Sequence, residues 1–263
     1  SKNCLCSLNT LFNGRVNKTM KDSVQLISFA QLAFAFIPAC IVVTIFYKWS
    51  LDFRDAIYAI ARMLFQLLLV GFFLTFIFES EGAVMVLMVL TLMVLASSWI
   101  ALRTIKLERR GLIHKALFSI ALGGGFSLFL VTQAVLELDP WYAPRYLIPL
   151  AGMSFSQAMN SVSLASERFR AEMGRGTAYV EARGTALRAS LIPITNSLFA
   201  VGLVSLPGMM TGQILSGVSP LIAVRYQIMV MCMVFGSAGI AAAAFLVSIK
   251  PKARDAAVAE LAS

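Results

Sequence analysis

Long stretches without a charged residue dominate the pattern of this chain. There are seven of them: Ser23–Tyr47, Met63–Phe78, Gly82–Leu102, Ala116–Leu136, Tyr146–Ser166, Ala189–Val224 and Tyr226–Ile249. About 20 helical residues cross the roughly 30 Å hydrocarbon core of a bilayer, and Met63–Phe78 reaches that length when it is extended back to Ala56. Backbone groups must be paired in lipid, and the runs lack the alternation of barrel strands. We therefore predict an all-α, polytopic membrane bundle of about seven transmembrane helices.

Basic residues fall in alternate connections between these stretches. They crowd residues 103–115, residues 167–188 and the tail 250–263. The intervening connections, around Glu79, around Glu137 and at 216–220, are acidic or nearly neutral. Since loops rich in lysine and arginine stay in the cytoplasm, we predict a cytoplasmic C-terminus and, with an odd number of helices, an N-terminus outside.

The composition agrees with a membrane protein. Of 263 residues, 59% are hydrophobic and 13% are charged, and the net charge is +9. A soluble globular chain carries about 25% charged residues. These values exclude a disordered chain, a disulfide scaffold and an ordinary cytosolic enzyme. Because the positive charge accounts for sidedness, we predict membrane lipid and no nucleic acid as a partner.

The first residues disagree with the predicted orientation. Lys2, Arg15 and Lys18 would hold the N-terminus inside, and Met20 directly precedes the first apolar stretch. We therefore expect residues 1–19 to be a non-native tail, residues 20–249 to form a single transmembrane domain, and residues 250–263 to be a cytoplasmic tail.

Residues that could carry catalysis are scarce. The one histidine is His114, which excludes a two-histidine zinc motif and a histidine triad supplied by this chain. The four cysteines lack a paired zinc spacing; Cys4 and Cys6 are either an incidental pair or a metal site, and Cys40 and Cys232 lie in apolar runs. No lysine stands in a phosphate-binding G-x-x-x-x-G-K-[ST] loop. We predict no catalytic residues and no cofactor in this chain, and any ATP must be used by a partner.

Polar side chains inside the apolar stretches are candidates for a transport path, because each is costly in hydrocarbon. Arg62 and Gln66 share one helix face, being four residues apart. The other candidates lie near helix ends or breaks: Asn160, Asn196, Gln213, Arg225 and Gln227. Two interpretations stay open. Either Arg62 extends to the membrane surface and the amides bond across helices, or some of these residues line a translocation path.

The stretch Ala189–Val224 is too long for one span and is interrupted by prolines and glycines. Pro207 removes a backbone donor and Gly208 admits unusual dihedral angles, so we predict a break or re-entrant turn here, with Pro207–Gly212 as the hinge. Broken helices are common at transport sites. Met209 and Met210 are path candidates, although packing explains most methionines. Met229, Met231 and Met233 are two residues apart and cannot all line one pore.

The same stretch resembles the signature of FetB-type permeases. The matching residues are Gly202 to Ile214 (GLVSLPGMMTGQI), Gly217 to Pro220, Arg225 to Ile228, Arg62 with Gln66, Leu67 and Gly71, and Ile148 to Met153. The resemblance runs from about Met20 to about Lys250. It implies the membrane subunit of a small ABC exporter in a bacterial inner (plasma) membrane, linked to iron efflux, with plant relatives linked to aluminium tolerance. It also implies a separate cytosolic ABC ATPase, with two permeases and two ATPases in the assembly.

The resemblance is incomplete in the segment that would dock on the ATPase. Between Glu172 and Pro193 the chain is shorter than the family's coupling segment. Either the protein has lost this element or residues are missing from the sequence, and we favour the second interpretation. The remaining candidates for ATPase contact are Arg168, Arg170, Glu172, Arg175, Glu181 and Arg183. The alternatives to an ABC permease are a stand-alone ion-coupled carrier, which the lack of carboxylates in the spans disfavours, and a non-transporting membrane scaffold.

Overall fold

The computed structural model describes residues 28–79, 82–103 and 109–250, and nearly all of them are helical. The helices are α1 (Phe29–Phe34), α2 (Ile37–Lys48), α3 (Phe53–Glu79), α4 (Ala83–Ala101), α5 (Arg109–Phe129), α6 (Pro144–Met173), α7 (Tyr179–Ala200), α8 (Gly208–Leu215) and α9 (Pro220–Ser248), and a π-helical turn (Leu130–Val135) continues α5. The β-structure in these ranges is one isolated bridge between Val201 and Ser205. The predicted all-α fold is confirmed.

Four of the described helical segments are long and apolar enough to cross a membrane: Gln31–Lys48, Ala83–Ala101, Gly111–Val135 and Pro220–Ser248. Helices α3, α6 and α7 have 27, 30 and 22 residues, which is also enough length to span. The chain is therefore a multi-span membrane protein. The count of about seven spans and the orientation stay predictions.

Contacts divide the chain into two compact units: Ser1–Glu79 with Thr211–Ser219, and Ser80–Met210 with Pro220–Ser263. In the first unit α2 packs on α3, and no described residue of α2 is buried. An exposed apolar surface of this kind is normal for helices that face lipid. Whether residues 20–249 form one domain stays a prediction, and the predicted tails fall largely outside the described residues.

In the second unit α6 and α9 are the central helices. Helix α9 packs on α5, α6 and α7, and α6 also packs on α4, α5 and α7. Many residues at these contacts are small and fully buried: Ala116, Ala151, Ala158, Ala165, Ala238, Ala241 and Ala242. Small side chains let helix backbones approach closely, which gains the dispersion energy that drives association in lipid.

Helices approach one another closely at two glycines of α5. A Cβ atom placed on Gly123 would lie 2.5 Å from the backbone nitrogen of Ala241 in α9. Next to it, the Ser154 hydroxyl donates to the Gly124 carbonyl at 2.8 Å and lies 2.6 Å from the Ser237 hydroxyl. Gly123 and Gly124 therefore lie at close helix contacts, whereas Gly125 has no atom of another helix near its Cβ position.

The interruption of the Ala189–Val224 stretch lies earlier than predicted. Helix α7 continues through Pro193 to Ala200, and non-helical backbone covers residues 201–207. Three successive amide groups, those of Leu203, Val204 and Ser205, donate to the Ala200 carbonyl at 2.8–3.2 Å. Of the predicted hinge Pro207–Gly212, only Pro207 is non-helical, because Gly208 already begins α8; its role as a hinge stays a prediction. Helix α9 also begins at Pro220, ahead of the predicted start at Tyr226, since the exposed Arg225 fits on one helix face.

Candidate functional site

Three helices of the second unit border an open cavity of about 290 Å³, called here the polar cavity. Its walls come from α6, α7, the connection that follows α7, and α9. The lining residues are Met153, Ser156, Gln157, Ile194, Ser197, Val201, Ser205, Pro207, Gln227, Val230, Met231 and Val234. No charged side chain occurs among them. The wall is therefore apolar with a few amide and hydroxyl groups, which is typical of a site for a small solute.

Gln227 is the most buried polar residue of this wall, at 6% exposure. Its side-chain oxygen, Oε1, is buried and has no hydrogen-bond partner. Two of the three serine hydroxyls of the wall are already used as donors: Ser156 Oγ donates to the Met153 carbonyl at 3.1 Å, and Ser197 Oγ donates to the Pro193 carbonyl at 3.0 Å. Each hydroxyl oxygen keeps lone pairs that can accept. The wall thus offers hydroxyl oxygens as acceptors, together with the amides of Gln157 and Gln227, which can both accept and donate.

The structure brings two of the predicted path residues, Pro207 and Gln227, to the polar cavity. The other candidates are not among its lining residues: Arg62 and Gln66 in α3, Asn160 in α6, Asn196 in α7, Gly208, Met209, Met210, Gly212 and Gln213 in α8, and Arg225 in α9. Gln66, Asn160, Asn196 and Arg225 are exposed within the chain. The role of each of these residues in transport stays a prediction.

The methionines of α9 line two different surfaces, as their spacing of two residues along the helix predicts. Met231 lines the polar cavity, whereas Met229 and Met233 line a second, apolar groove of about 300 Å³ between α9 and α5. Cys232 also lines this groove. The prediction that Met229, Met231 and Met233 cannot share one pore is confirmed. Within the described ranges, no group of three or more His, Cys, Asp or Glu side chains is placed to hold a metal ion.

The six predicted ATPase-contact residues cluster at the α6–α7 tip, defined here as residues 168–183. Glu172 is at its centre and is 8% exposed. Its Oε1 atom lies 2.6 Å from Arg168 Nη2 and 3.6 Å from Arg175 Nη1, and Thr177 Oγ1 donates to its Oε2 at 3.3 Å. One carboxylate thus organises the arginines on both sides of the turn.

The backbone of this turn is closed by its own hydrogen bonds. The amides of Gly174, Arg175 and Gly176 donate to the carbonyls of Arg170, Glu172 and Met173 at 2.9–3.0 Å. Gly176 has a φ of +80°, which a residue with a side chain rarely adopts. These bonds close the turn between α6 and α7, and the interpretation that residues are missing from it stays untested.

Tyr179 ties the α6–α7 tip to the end of α9. Its hydroxyl donates to the Leu246 carbonyl at 3.0 Å, in the last turn of α9, where carbonyls lack helical partners. The ring packs edge-on against Phe169, with centroids 5.9 Å apart, and the Arg183 guanidinium lies 5.5 Å from its centroid. The tip and the end of α9 therefore lie at one end of the second unit, as the predicted sidedness requires.

Sequence reasoning missed several lining residues of the polar cavity. Gln157 is an uncharged polar residue inside a predicted span, so the signal that selected Asn160 was present there as well. Met153, Ser197 and Met231 carry no such signal, because serine and methionine are common in membrane helices for packing reasons. Tyr179 and Leu246 are 67 residues apart, and nothing local marks their contact.

Comparison with known proteins places the chain among membrane proteins. The model of the uncharacterised protein family UPF0014 matches residues 29–253. The "Probable iron export permease protein FetB" of Escherichia coli K12 is 30% identical over 226 residues, 80% of this chain and 85% of the relative. "Protein ALUMINUM SENSITIVE 3" of Arabidopsis thaliana is 33% identical over 222 residues, 78% and 80% of the two chains. A "UPF0014 membrane protein" of Synechocystis is 37% identical over 193 residues, which cover 68% of this chain and 74% of the relative. No solved structure matches the chain significantly.

Proposed function

The chain belongs to the UPF0014 family, and on that premise we propose that it is the membrane-spanning permease subunit of an ABC exporter. A separate cytosolic ATPase binds and hydrolyses ATP, and the permease has no catalytic activity or nucleotide site of its own. The cargo is a metal, with iron the first to test. Two copies of this chain assemble with two ATPases in a bacterial inner membrane.

One observation carries the proposal: the similarity to the E. coli protein named an iron export permease extends over 80% of this chain and 85% of that protein. The family match, over residues 29–253, covers the helices of the polar cavity and the α6–α7 tip together. It therefore includes both the parts that a permease needs, a solute-sized cavity and a surface that a partner can move.

The geometry supports a simple mechanism. The α6–α7 tip carries exposed arginines on a turn that Glu172 and Tyr179 hold in place. When the ATPases close on ATP, they move this tip, and α6, α7 and α9 move with it. Because these helices also form the polar cavity, the movement shifts the equilibrium between inward-open and outward-open states. Hydrolysis and opening of the ATPases return the cavity to the inside.

Metal content of cells tests this function directly. Cells that lack the gene, with its ATPase partner present, are expected to accumulate more metal than the parent strain, and a plasmid copy restores the parent level. The measurement is total cell iron and other transition metals by mass spectrometry after a metal load. The control is an ATPase whose phosphate-binding lysine is changed to alanine, which must fail to restore export. Unchanged content for every metal contradicts the proposal and favours a scaffold.

Pro207→Ala is expected to alter export about fivefold without loss of membrane insertion. Proline fixes φ and lacks an amide donor, so alanine lets α8 extend backward into residues 201–207. A change of about 1 kcal/mol in the balance of two states shifts their ratio roughly fivefold. The measurement is the rate of metal efflux at matched protein level. Pro149→Ala, in the interior of α6, is the control for removing a proline; equal effects of the two variants contradict a special role for the 201–207 connection.

A further inference from the structure

We propose that the polar cavity binds its solute in an uncharged, hydrogen-bond-donating form, so that a metal enters as a neutral chelate. The identity of the cargo as a metal rests on the proposed function. The charge and the hydrogen bonding of the solute are inferred from the cavity wall. It concerns binding to this chain alone and needs neither the ATPase nor transport.

The hydrogen-bonding character follows from the acceptors that the wall leaves open. Gln227 Oε1 is buried at the wall without a partner. A buried polar atom without a hydrogen bond is unfavourable, so a solute that donates to Oε1 once the Gln227 amide turns toward the cavity binds more tightly. Ser156 Oγ and Ser197 Oγ spend their hydrogens on main-chain carbonyls, and their oxygens remain as acceptors. A donor solute fits this wall, whereas a purely apolar one leaves Gln227 unpaired.

The uncharged character follows from what the wall lacks. Among the described lining residues there is no aspartate, glutamate, lysine or arginine. Arg225 is only two residues from Gln227 in the sequence. On a helix, residues two positions apart point to different sides, and the Arg225 side chain is exposed. A bare multivalent cation entering this cavity would lose water ligands without gaining a counter-charge, which is strongly unfavourable. A chelate whose ligands neutralise the metal avoids this loss of hydration.

The size of the cavity limits the solute to a small molecule. Its volume of about 290 Å³ lies at the lower end of ligand sites in proteins. Met153 and Met231 on α6 and α9, with Val230 and Val234, provide apolar contact for the outer surface of a compact complex. The shared chemistry is a small, neutral molecule with hydrogen-bond donors, whether it is a metal chelate or a metal-free polar solute.

Equilibrium dialysis of the full chain in nanodiscs tests the proposal. The probes are ⁵⁵Fe(III) as the neutral tris(acetohydroxamate) complex, aqueous ⁵⁵Fe(II), acetohydroxamic acid alone and the polyol arabitol. We expect saturable binding of the neutral complex and none of the aqueous ion. If acetohydroxamic acid or arabitol competes with the complex for binding, the result supports a cavity for small, neutral hydrogen-bond donors. The natural solute is then a metal-free molecule and not a metal chelate. Equal or tighter binding of the aqueous ion, in competition with the complex, overturns it.

Variants of two glutamines assign the binding to the cavity. Gln227→Met keeps the side-chain volume and is expected to weaken binding of the neutral complex about tenfold, the loss of one hydrogen bond. Gln157→Met serves as the second variant if Gln227→Met does not fold. Gln133→Met is the matched control, because Gln133 lies in the π-helical turn outside the cavity. Unchanged binding in folded Gln227→Met overturns the proposal. Absence of binding with export intact refutes only this inference, whereas absence of export with binding intact refutes only the proposed function.

Discussion

Gly123→Ala is expected to destabilise the second unit by about 1–3 kcal/mol, the usual cost of forcing an extra carbon into a packed core. The new Cβ would lie 2.5 Å from the Ala241 backbone nitrogen and 2.8 Å from the Ala241 Cβ. Backbone atoms cannot rotate away as a side chain can, so α5 and α9 must separate along their contact. The measurement is the midpoint of thermal unfolding in detergent, with a shift of about 2–4 °C for each kcal/mol.

Gly125→Ala is the control for this variant, two residues away in the same helix. No atom lies within 4 Å of its Cβ position. Alanine favours helix over glycine by about 1 kcal/mol, so this variant is expected to be as stable as the parent or slightly more stable. Gly124→Ala meets the Phe155 ring, which can turn, and is expected to fall between the two. Equal loss of stability in Gly123→Ala and Gly125→Ala would contradict the packing described here.

Tyr179→Ala is expected to lower the unfolding free energy by about 2–3 kcal/mol and to abolish stimulation of the ATPase. The figure is below the 3–5 kcal/mol typical of a fully buried aromatic residue, because Tyr179 is half-buried. Alanine loses the hydroxyl bond to Leu246, the ring contact with Phe169 and the contact with Arg183. The α6–α7 tip then moves without α9. The measurements are the unfolding midpoint and ATP hydrolysis by the reconstituted complex.

Tyr179→Phe separates the hydroxyl from the ring. It keeps both ring contacts and loses one hydrogen bond, so we expect a loss of about 1 kcal/mol and ATPase stimulation close to that of the parent. If Tyr179→Phe and Tyr179→Ala lose stimulation equally, the hydroxyl bond alone couples the tip to α9. If neither variant changes hydrolysis, the tip is not the surface that the ATPase moves.

The helical membrane character was predictable from the sequence, and the resemblance to FetB-type permeases is confirmed by the family match and the relatives. Both rest on local signals: charge-free runs longer than a bilayer crossing, and a continuous motif from Gly202 to Ile214. Helix ends were less predictable. A single charge, Arg225, seemed to end a span, yet α9 runs through it because one helix face can carry an exposed charge.

The polar cavity was predictable only in part, for a physical reason. Gln227 can be recognised from the sequence because an amide is costly in an apolar run, and Pro207 because proline breaks a helix. Ser197 and Met153 become site residues only because α6, α7 and α9 pack together there, and that packing depends on small buried residues far apart in sequence. The α6–α7 tip was found through its arginines, while Tyr179, which fixes it, resembles any interfacial tyrosine.

The link between Tyr179 and the end of α9 has a mechanical consequence. Gln227 and Leu246 belong to one continuous helix and are 19 residues apart, a separation of about 28 Å along its axis. Helix α6 likewise runs without interruption from Gln157 at the cavity to Glu172 at the tip. In the proposed mechanism these two helices join the α6–α7 tip, where the ATPase acts, to the polar cavity. A movement imposed at the tip would then reach the cavity as rotation of whole helices and not as a change in their length.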